Sequence, residues 1–107
     1  MIAQLERLLA NGQDTAMLRL GLGNAYLQAG DLVRAVAHLH AAVEHEPGYS
    51  AAWKALGKAL TEAGKPNEAV AAYQEGIRVA EQRGDIQAAK EMKIFLRRVY
   101  SSRDKSS

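Results

Sequence analysis

Residues 50–83 read SAAWKALGKALTEAGKPNEAVAAYQEGIRVAEQR, and residues 16–49 read AMLRLGLGNAYLQAGDLVRAVAHLHAAVEHEPGY in the same register, 34 positions earlier and without a gap. The matched positions include Leu22 with Leu56, Gly23 with Gly57, Ala35 with Ala69, and Leu39 with Tyr73. A repeat of this length is one supersecondary unit, which buries its apolar face only by stacking on its neighbours. The sequence therefore predicts a stack of repeats.

Each copy has the pattern of two helices joined by a tight turn. In the second copy, two stripes fall at helical spacing: Trp53, Leu56, Gly57 and Leu60, then Ala69, Tyr73, Gly76 and Ile77. Gly64 can adopt the left-handed conformation that ends a helix, and Pro66 suits the first turn of the next. In the first copy Gly30 is the corresponding stop and Asp31 the expected N-cap. Each copy is therefore predicted to be an antiparallel helix pair.

These residues resemble the tetratricopeptide repeat, a unit of about 34 residues with the pattern W-x2-L-G-x2-Y, then A-x3-F, then P. The positions that carry the resemblance are Trp53, Leu56, Gly57, Ala69 and Tyr73 in the second copy, and Leu22, Gly23, Tyr26, Ala35 and Pro47 in the first. The first copy departs at Arg19, which stands at the position of Trp53. Its aliphatic stem can cover apolar surface while the guanidinium reaches water, so we expect weaker packing there. The resemblance implies an all-α fold, a right-handed superhelical stack of antiparallel helix pairs.

The same register extends beyond the two copies on both sides. Residues 1–15 align with the second half of a preceding repeat, and residues 84–100 with the first helix of a following one. We therefore predict a single domain over residues 1–100, with about six helices at residues 2–11, 15–29, 32–46, 50–63, 67–82 and 86–100. The outer face of the last helix is largely polar, which predicts a capping helix. Residues 101–107 are rich in serine and lack an apolar anchor, which predicts a disordered tail.

Composition excludes several classes of protein. The 107 residues suffice for one domain with its own core, and the absence of cysteine excludes disulfides and thiolate metal sites. No segment has the basic start and long apolar run of a signal peptide, or the length of a membrane span. We therefore expect a soluble cytoplasmic protein without a membrane partner.

Motifs that carry chemistry are weak. His38 and His40 project about 200° apart on one predicted helix, and His38 lies about 10 Å from His45, so neither pair can chelate a metal ion within that helix. Gly21 and Gly23 begin like a dinucleotide loop, but no strand precedes them. No serine, histidine and acid arrangement suggests a nucleophile. The sequence predicts a non-enzymatic protein that requires neither a metal nor a cofactor.

The net charge of +2 is unevenly distributed. Residues 83–107 carry seven lysines and arginines against three acids, whereas residues 1–82 carry seven against nine. A basic end could contact nucleic acid. A terminal helix of a repeat stack also needs a charged outer face for solubility, and we prefer this second interpretation.

The family resemblance also implies a binding surface. In tetratricopeptide repeats the first helix of each pair lines a concave groove that binds peptides, and fixed repeat positions face that groove. Carried onto this chain, they select Leu20, Asn24, Gln28, Lys54, Lys58, Thr61, Glu62, Met92 and Phe95, with Arg83 at a junction. An apolar wall beside Lys54 and Lys58 would suit an acidic peptide with one hydrophobic anchor.

Two alternatives stay open for these residues. The row of Lys54, Lys58 and Glu62 is also typical of any exposed helix, and Met92 with Phe95 falls on an apolar arc that also suits a core. Some family members hold the C-terminal tails of chaperones in a carboxylate clamp. Only Asn24 matches that clamp, which argues against chaperone tails as ligands.

The sequence as a whole predicts a protein-protein interaction module that binds a peptide segment of its partner in the groove. The alternative is a self-assembling structural domain or a fragment of a longer scaffold, because the first helix lacks the partner helix that its register implies. We expect a monomer or weak homodimer, and nucleic acid is the least favoured partner.

Overall fold

The structure, a computed structural model, describes residues 1–105, with the side chain of Lys105 excepted. Within that range all regular structure is helical, and the six helices are α1 (Ile2–Ala10), α2 (Ala16–Gln28), α3 (Leu32–His45), α4 (Ser50–Glu62), α5 (Pro66–Arg83) and α6 (Ile86–Lys105). Each helix packs against its neighbour in the chain, and α4 also contacts both α2 and α6. The predicted all-α stack of about six helices is confirmed, with helix ends within a few residues of the expected ones except at the end of α6.

Glycines end the helices where the sequence predicted them to. Gly64 has φ +74°, and its turn closes with a hydrogen bond of 2.9 Å from the Lys65 amide to the Leu60 carbonyl. This pattern satisfies carbonyls that the end of α4 would otherwise leave unpaired. At the start of α3, the Asp31 side chain accepts a hydrogen bond of 3.2 Å from the Arg34 amide, which confirms the predicted N-cap.

The two helices of a repeat approach each other at glycine. A β-carbon at position 57 would overlap the ring of Tyr73, and one at position 23 would overlap the side chain of Leu39. Such overlap shows that the close approach of α4 to α5, and of α2 to α3, depends on the missing side chain. The close helix contacts predicted at Gly23 and Gly57 are therefore present. Ala69, another small residue predicted at this contact, is completely buried.

The guanidinium of Arg19 was expected to reach water, but the structure shows it bound to another side chain. Trp53 packs beside Gly76 and donates its indole N–H to the Pro47 carbonyl at 2.7 Å. Arg19, at the equivalent place, instead forms two hydrogen bonds with Asp14, of 2.7 and 2.9 Å. The guanidinium is thus held by the turn between α1 and α2 and does not simply reach into water.

The predicted disordered tail is wrong for residues 101–105, because α6 continues to Lys105. Arg103 accounts for part of this order, since its guanidinium donates to Asn67 Oδ1 at 2.9 Å and lies 5.0 Å from the centroid of the Tyr100 ring. Sequence reasoning saw no apolar anchor in this segment and overlooked these polar and cation-π contacts. Residues 106–107 lie outside the described residues.

The burial of side chains is uneven along the stack. Buried residues of α3, α4, α5 and α6 form one apolar cluster, whereas α1 has no buried residue. Along α1, Ile2, Leu5 and Leu9 are half-buried and Leu8 is exposed. None of the helices in residues 1–105 is long and apolar enough to cross a membrane.

Candidate functional site

An open pocket of about 350 Å³ lies where the second half of α4 faces α6 over the middle of α5. Its lining consists of Lys58, Thr61 and Glu62 from α4, Tyr73 from α5, and Phe95, Arg98, Val99 and Ser102 from α6. The family resemblance selected four of these residues, Lys58, Thr61, Glu62 and Phe95, and the fold brings them together around one cavity although they come from two different helices.

Aromatic and aliphatic side chains form the floor of this pocket. The Tyr73 and Phe95 rings are 6.0 Å apart between centroids with an interplanar angle of 39°, a geometry in which tilted rings attract. Burial raises the pKa of the Tyr73 phenol to about 12, so the ring stays neutral at physiological pH. Tyr73 and Val99 are almost completely buried beneath the pocket, so the half-buried Phe95 ring is the main apolar surface of its floor.

Charged groups stand at the rim. Lys58 and Arg98 are both exposed, and neither forms a salt bridge with any other described side chain. The Arg98 guanidinium lies 5.8 Å from the centroid of the Phe95 ring, which holds the cation over the aromatic floor. Glu62 supplies one acidic group, so the rim has an excess of one positive charge.

Lys54 and Lys58, predicted to form one cationic pair, have different surroundings in the structure. Lys54 Nζ lies 3.2 Å from Glu91 Oε1, and this half-exposed ion pair links α4 to α6. Its charge is therefore already matched within the chain, and Lys54 is not among the residues that line the pocket. The second cation at the pocket rim is instead Arg98, which lies on α6.

The predicted groove residues of α2 lie apart from the pocket. Leu20 is half-buried against the core, and Asn24 is exposed on the same helix. Gln28 lines a different cavity of about 480 Å³ between α1 and α2, together with Met1 and Ile2. None of these three residues lines the pocket.

Two further predicted residues are placed elsewhere. Met92 is completely buried, with its sulfur 2.6 Å from the position that a β-carbon on Gly76 would occupy, so it belongs to the core and not to a binding surface. Arg83, at the C-terminal end of α5, lies against Gly48 in the turn between α3 and α4. That turn adjoins the first residues of α4, whereas the pocket adjoins the last ones.

Sequence reasoning missed four residues of the lining as ligand contacts: Tyr73, Arg98, Val99 and Ser102. Three of them follow Phe95 at i+3, i+4 and i+7, so they continue its helical face. That periodicity was the available signal, but Arg98 and Val99 lie outside the positions that the family resemblance supplies, and Ser102 lies beyond the predicted helix end at residue 100. Tyr73 was assigned to the core, where the structure places it, and it also lines the cavity.

The described residues contain no group of three or more histidines, cysteines or acids arranged to hold a metal ion. His38 and His45 instead contact Glu6, Arg19 and Asp14. Several basic residues of the last helix are also engaged, since Lys93 pairs with Glu81 at 2.9 Å and Arg103 bonds Asn67. The pocket therefore presents an apolar floor and a rim with more positive than negative charge.

Comparison with known proteins agrees with this architecture. Two family models, both described as tetratricopeptide repeat, match residues 26–92 and residues 2–43. The chain belongs to the tetratricopeptide repeat family.

Three known proteins are similar to this chain in sequence or in fold. The TPR repeat-containing protein PA0015 of Pseudomonas aeruginosa is 50% identical over 103 residues, which cover 96% of this chain and 98% of that protein. The solution structure of protein BPP2914 from Bordetella parapertussis has a TM-score of 0.82 and 40% identity, with 95% of this chain and 89% of that chain covered. A tetratricopeptide repeat domain protein from Salinibacter ruber, at 24% identity and a TM-score of 0.76 over 82% of this chain and 98% of its own, shares the fold.

Membership of this family supports a protein-interaction module in general, because stacked repeats present extended surfaces to partners. Proteins of the family are generally non-enzymatic scaffolds.

Proposed function

We propose that this chain binds a peptide segment of a partner protein in the pocket between α4 and α6. The observation that carries the proposal is the combination of an open aromatic floor with two rim cations that have no acidic partner among the described side chains. The ligand is an acidic peptide with one hydrophobic anchor. Its anchor lies against Tyr73, Phe95 and Val99, and its carboxylate approaches Lys58 and Arg98.

The size of the pocket favours a single anchoring side chain. Ligand pockets of proteins usually measure about 300–1,000 Å³, and this one has about 350 Å³. Because exposed ion pairs contribute at most about 1 kcal/mol each, the anchor must supply most of the affinity. We expect dissociation constants in the micromolar range, about −8 kcal/mol at most.

The test is a titration of peptides selected from a random library against variants of the rim. The double variant Lys58→Glu with Arg98→Glu should weaken binding strongly at about 0.05 M salt and much less at about 0.5 M salt, where charges are screened within about 3 to 5 Å. Lys54 is left unchanged because glutamate there would face Glu91 and disturb the link between α4 and α6.

A matched control carries the same change of net charge outside the pocket. Lys90 and Arg97 are exposed on α6 and do not line the pocket, so Lys90→Glu with Arg97→Glu should leave peptide affinity nearly unchanged. Selected peptides that are basic, or that bind the Lys58 and Arg98 variant as tightly as the wild type at low salt, would remove this proposal.

Self-association is the second candidate function. It is favoured by one observation: α1 has no buried residue, and Met1 just before it and Leu8 on it are 79% and 39% exposed. A second copy of the chain could cover this edge, giving a weak homodimer, and the solution mass of Leu8→Glu tests it. A cytoplasmic location and the exclusion of nucleic acid stay predictions from the sequence.

A further inference from the structure

A second cavity, of about 310 Å³, lies on the other side of α4, where α3 and α5 flank that helix. We call it the outer groove. Its lining consists of His40 from α3, Trp53, Leu56 and Leu60 from α4, and Glu68, Ala71, Ala72 and Glu75 from α5. At 100° per residue, its α4 residues lie about 160° around the helix from those of the pocket between α4 and α6. The outer groove is therefore a separate surface.

The repeat register gives the outer groove a counterpart in the first copy, 34 positions earlier. Tyr26 and His38 stand there at the positions of Leu60 and Ala72, and the two rings stack at 5.5 Å with an interplanar angle of 4°. Leucine and alanine occupy less space than these rings. The second copy is therefore left with an open cavity where the first copy holds two planar groups.

Guanidinium groups complete the counterpart in the first copy. The guanidinium of Arg34 lies 5.8 Å from the centroid of the Tyr26 ring, and Arg19 Nη1 lies 3.1 Å from Nδ1 of His38. Glu6 supplies the acid, because its Oε1 accepts a hydrogen bond of 3.2 Å from the Tyr26 hydroxyl and lies 3.3 Å from Nε2 of His38. The first copy thus places its own planar cations beside planar rings and a carboxylate.

The outer groove has the opposite charge. Its lining contains two acids, Glu68 and Glu75, and Glu68 stands at the position of Arg34. No lysine or arginine among the side chains that the structure describes lines it. Each carboxylate has an ion pair on its own helix, with Lys65 and Arg78, but such exposed pairs are weak and neither cation lines the cavity. A cation in the outer groove must therefore come from another molecule.

We propose that the outer groove binds an arginine side chain of a partner protein. The guanidinium lies beside the half-buried Trp53 and approaches the carboxylates of Glu68 and Glu75. Its aliphatic stem covers the exposed Ala71. Charge complementarity selects a cation, and the flat shape selects arginine over lysine, because a guanidinium stacks on aromatic rings and pairs with carboxylates through a planar fork.

A titration with three blocked tripeptides tests the proposal on the full chain. Each has glycine at both ends, and the central residue is arginine, lysine or citrulline, a neutral residue of nearly the same shape as arginine. Trp53 is the only tryptophan of the sequence and lines the outer groove, so its fluorescence and its indole N–H signal in nuclear magnetic resonance report binding there. The arginine peptide should bind with a dissociation constant of about 1 mM, and the other two at least about threefold more weakly.

Variants of the lining separate charge from shape. Glu68→Gln with Glu75→Gln should weaken the arginine peptide about fivefold at low salt, since each exposed ion pair contributes modestly. Ala72→His restores the residue of the first copy and should occupy the cavity, so that binding is lost. Glu46→Gln with Glu62→Gln is the matched control, because both residues are exposed and neither lines the outer groove.

The first copy also suggests a variant that gains affinity. His40 stands at the position of Glu6, so His40→Glu should strengthen binding of the arginine peptide about threefold at low salt. Three results would overturn the proposal: Trp53 signals that do not change, equal affinity for the citrulline or lysine peptide, and equal affinity of the Glu68 and Glu75 variant. A larger effect of the control would place the peptide in the pocket between α4 and α6 and also overturn it.

Discussion

The two ends of the stack use different physical means to hold the same repeat together. At position 53 a tryptophan packs between α4 and α5, and α4 buries six residues between Ala52 and Leu60. At the equivalent position 19 an arginine binds Asp14 and His38, and α2 buries only Leu22 and Gly23. A shared 34-residue pattern therefore fixes the helix pair but not the forces between the helices. Apolar packing surrounds the pocket at one end, and we expect the charged network at the other end to be more sensitive to salt.

Truncating the side chain at each of these two positions should distinguish apolar packing from ionic contacts most clearly. Trp53→Ala should lower the free energy of unfolding by about 3 kcal/mol, near the lower end for a tryptophan in a core because this one is half-buried. The free energy of unfolding lost in Trp53→Ala should change little with salt concentration. Arg19→Ala should cost about 1 kcal/mol at low salt and less at high salt, because its hydrogen bonds to Asp14 are ionic and screened.

Urea unfolding followed by circular dichroism at two salt concentrations measures both effects. His40→Ala serves as the exposed reference in the second helix of the first copy, with an expected change within about 0.5 kcal/mol. Equal salt dependence for the Trp53 and Arg19 variants would contradict the distinction between an apolar and a charged repeat.

Overpacking tests the apolar end by itself. Ala69 is completely buried where α5 approaches α4, so Ala69→Leu should destabilise the fold by about 1 to 3 kcal/mol. Ala71→Leu is the matched control, because Ala71 lies two residues away on the same helix and is exposed. Thermal unfolding followed by circular dichroism compares the two, and an unchanged midpoint for Ala69→Leu would mean that this helix contact is not close.

The sequence was sufficient to predict what depends on the repeat period. The glycine turn at Gly64, the cap at Asp31 and the glycine contact at position 57 all follow from helix geometry within one unit. Each involves residues that are close in the chain or fixed by the spacing between two helices.

Contacts between units were not predictable in the same way. The pair of Lys54 and Glu91 depends on how far α6 is displaced along α4, which no periodicity within one copy specifies. Glu6 and Asp14 reach the network around His38 from outside the two aligned copies. The pocket was found only in part, because Arg98 and Val99 lie beyond the positions that the family resemblance supplies.

The smallest expected effect on stability concerns the exposed edge of α1. Leu8 is 39% exposed and α1 has no buried residue, so Leu8→Glu should change the free energy of unfolding by no more than about 0.5 kcal/mol. If a second copy covers this edge, the charge should nevertheless lower the mass measured by sedimentation in a concentrated solution, since a buried carboxylate without a partner opposes association. Gln4→Glu, also exposed on α1, controls for the added charge. A lower mass with unchanged helicity would support a dimer contact at this edge. An unchanged mass would show that this surface does not associate. A loss of helicity would show that Leu8 belongs to the internal packing of α1 on α2.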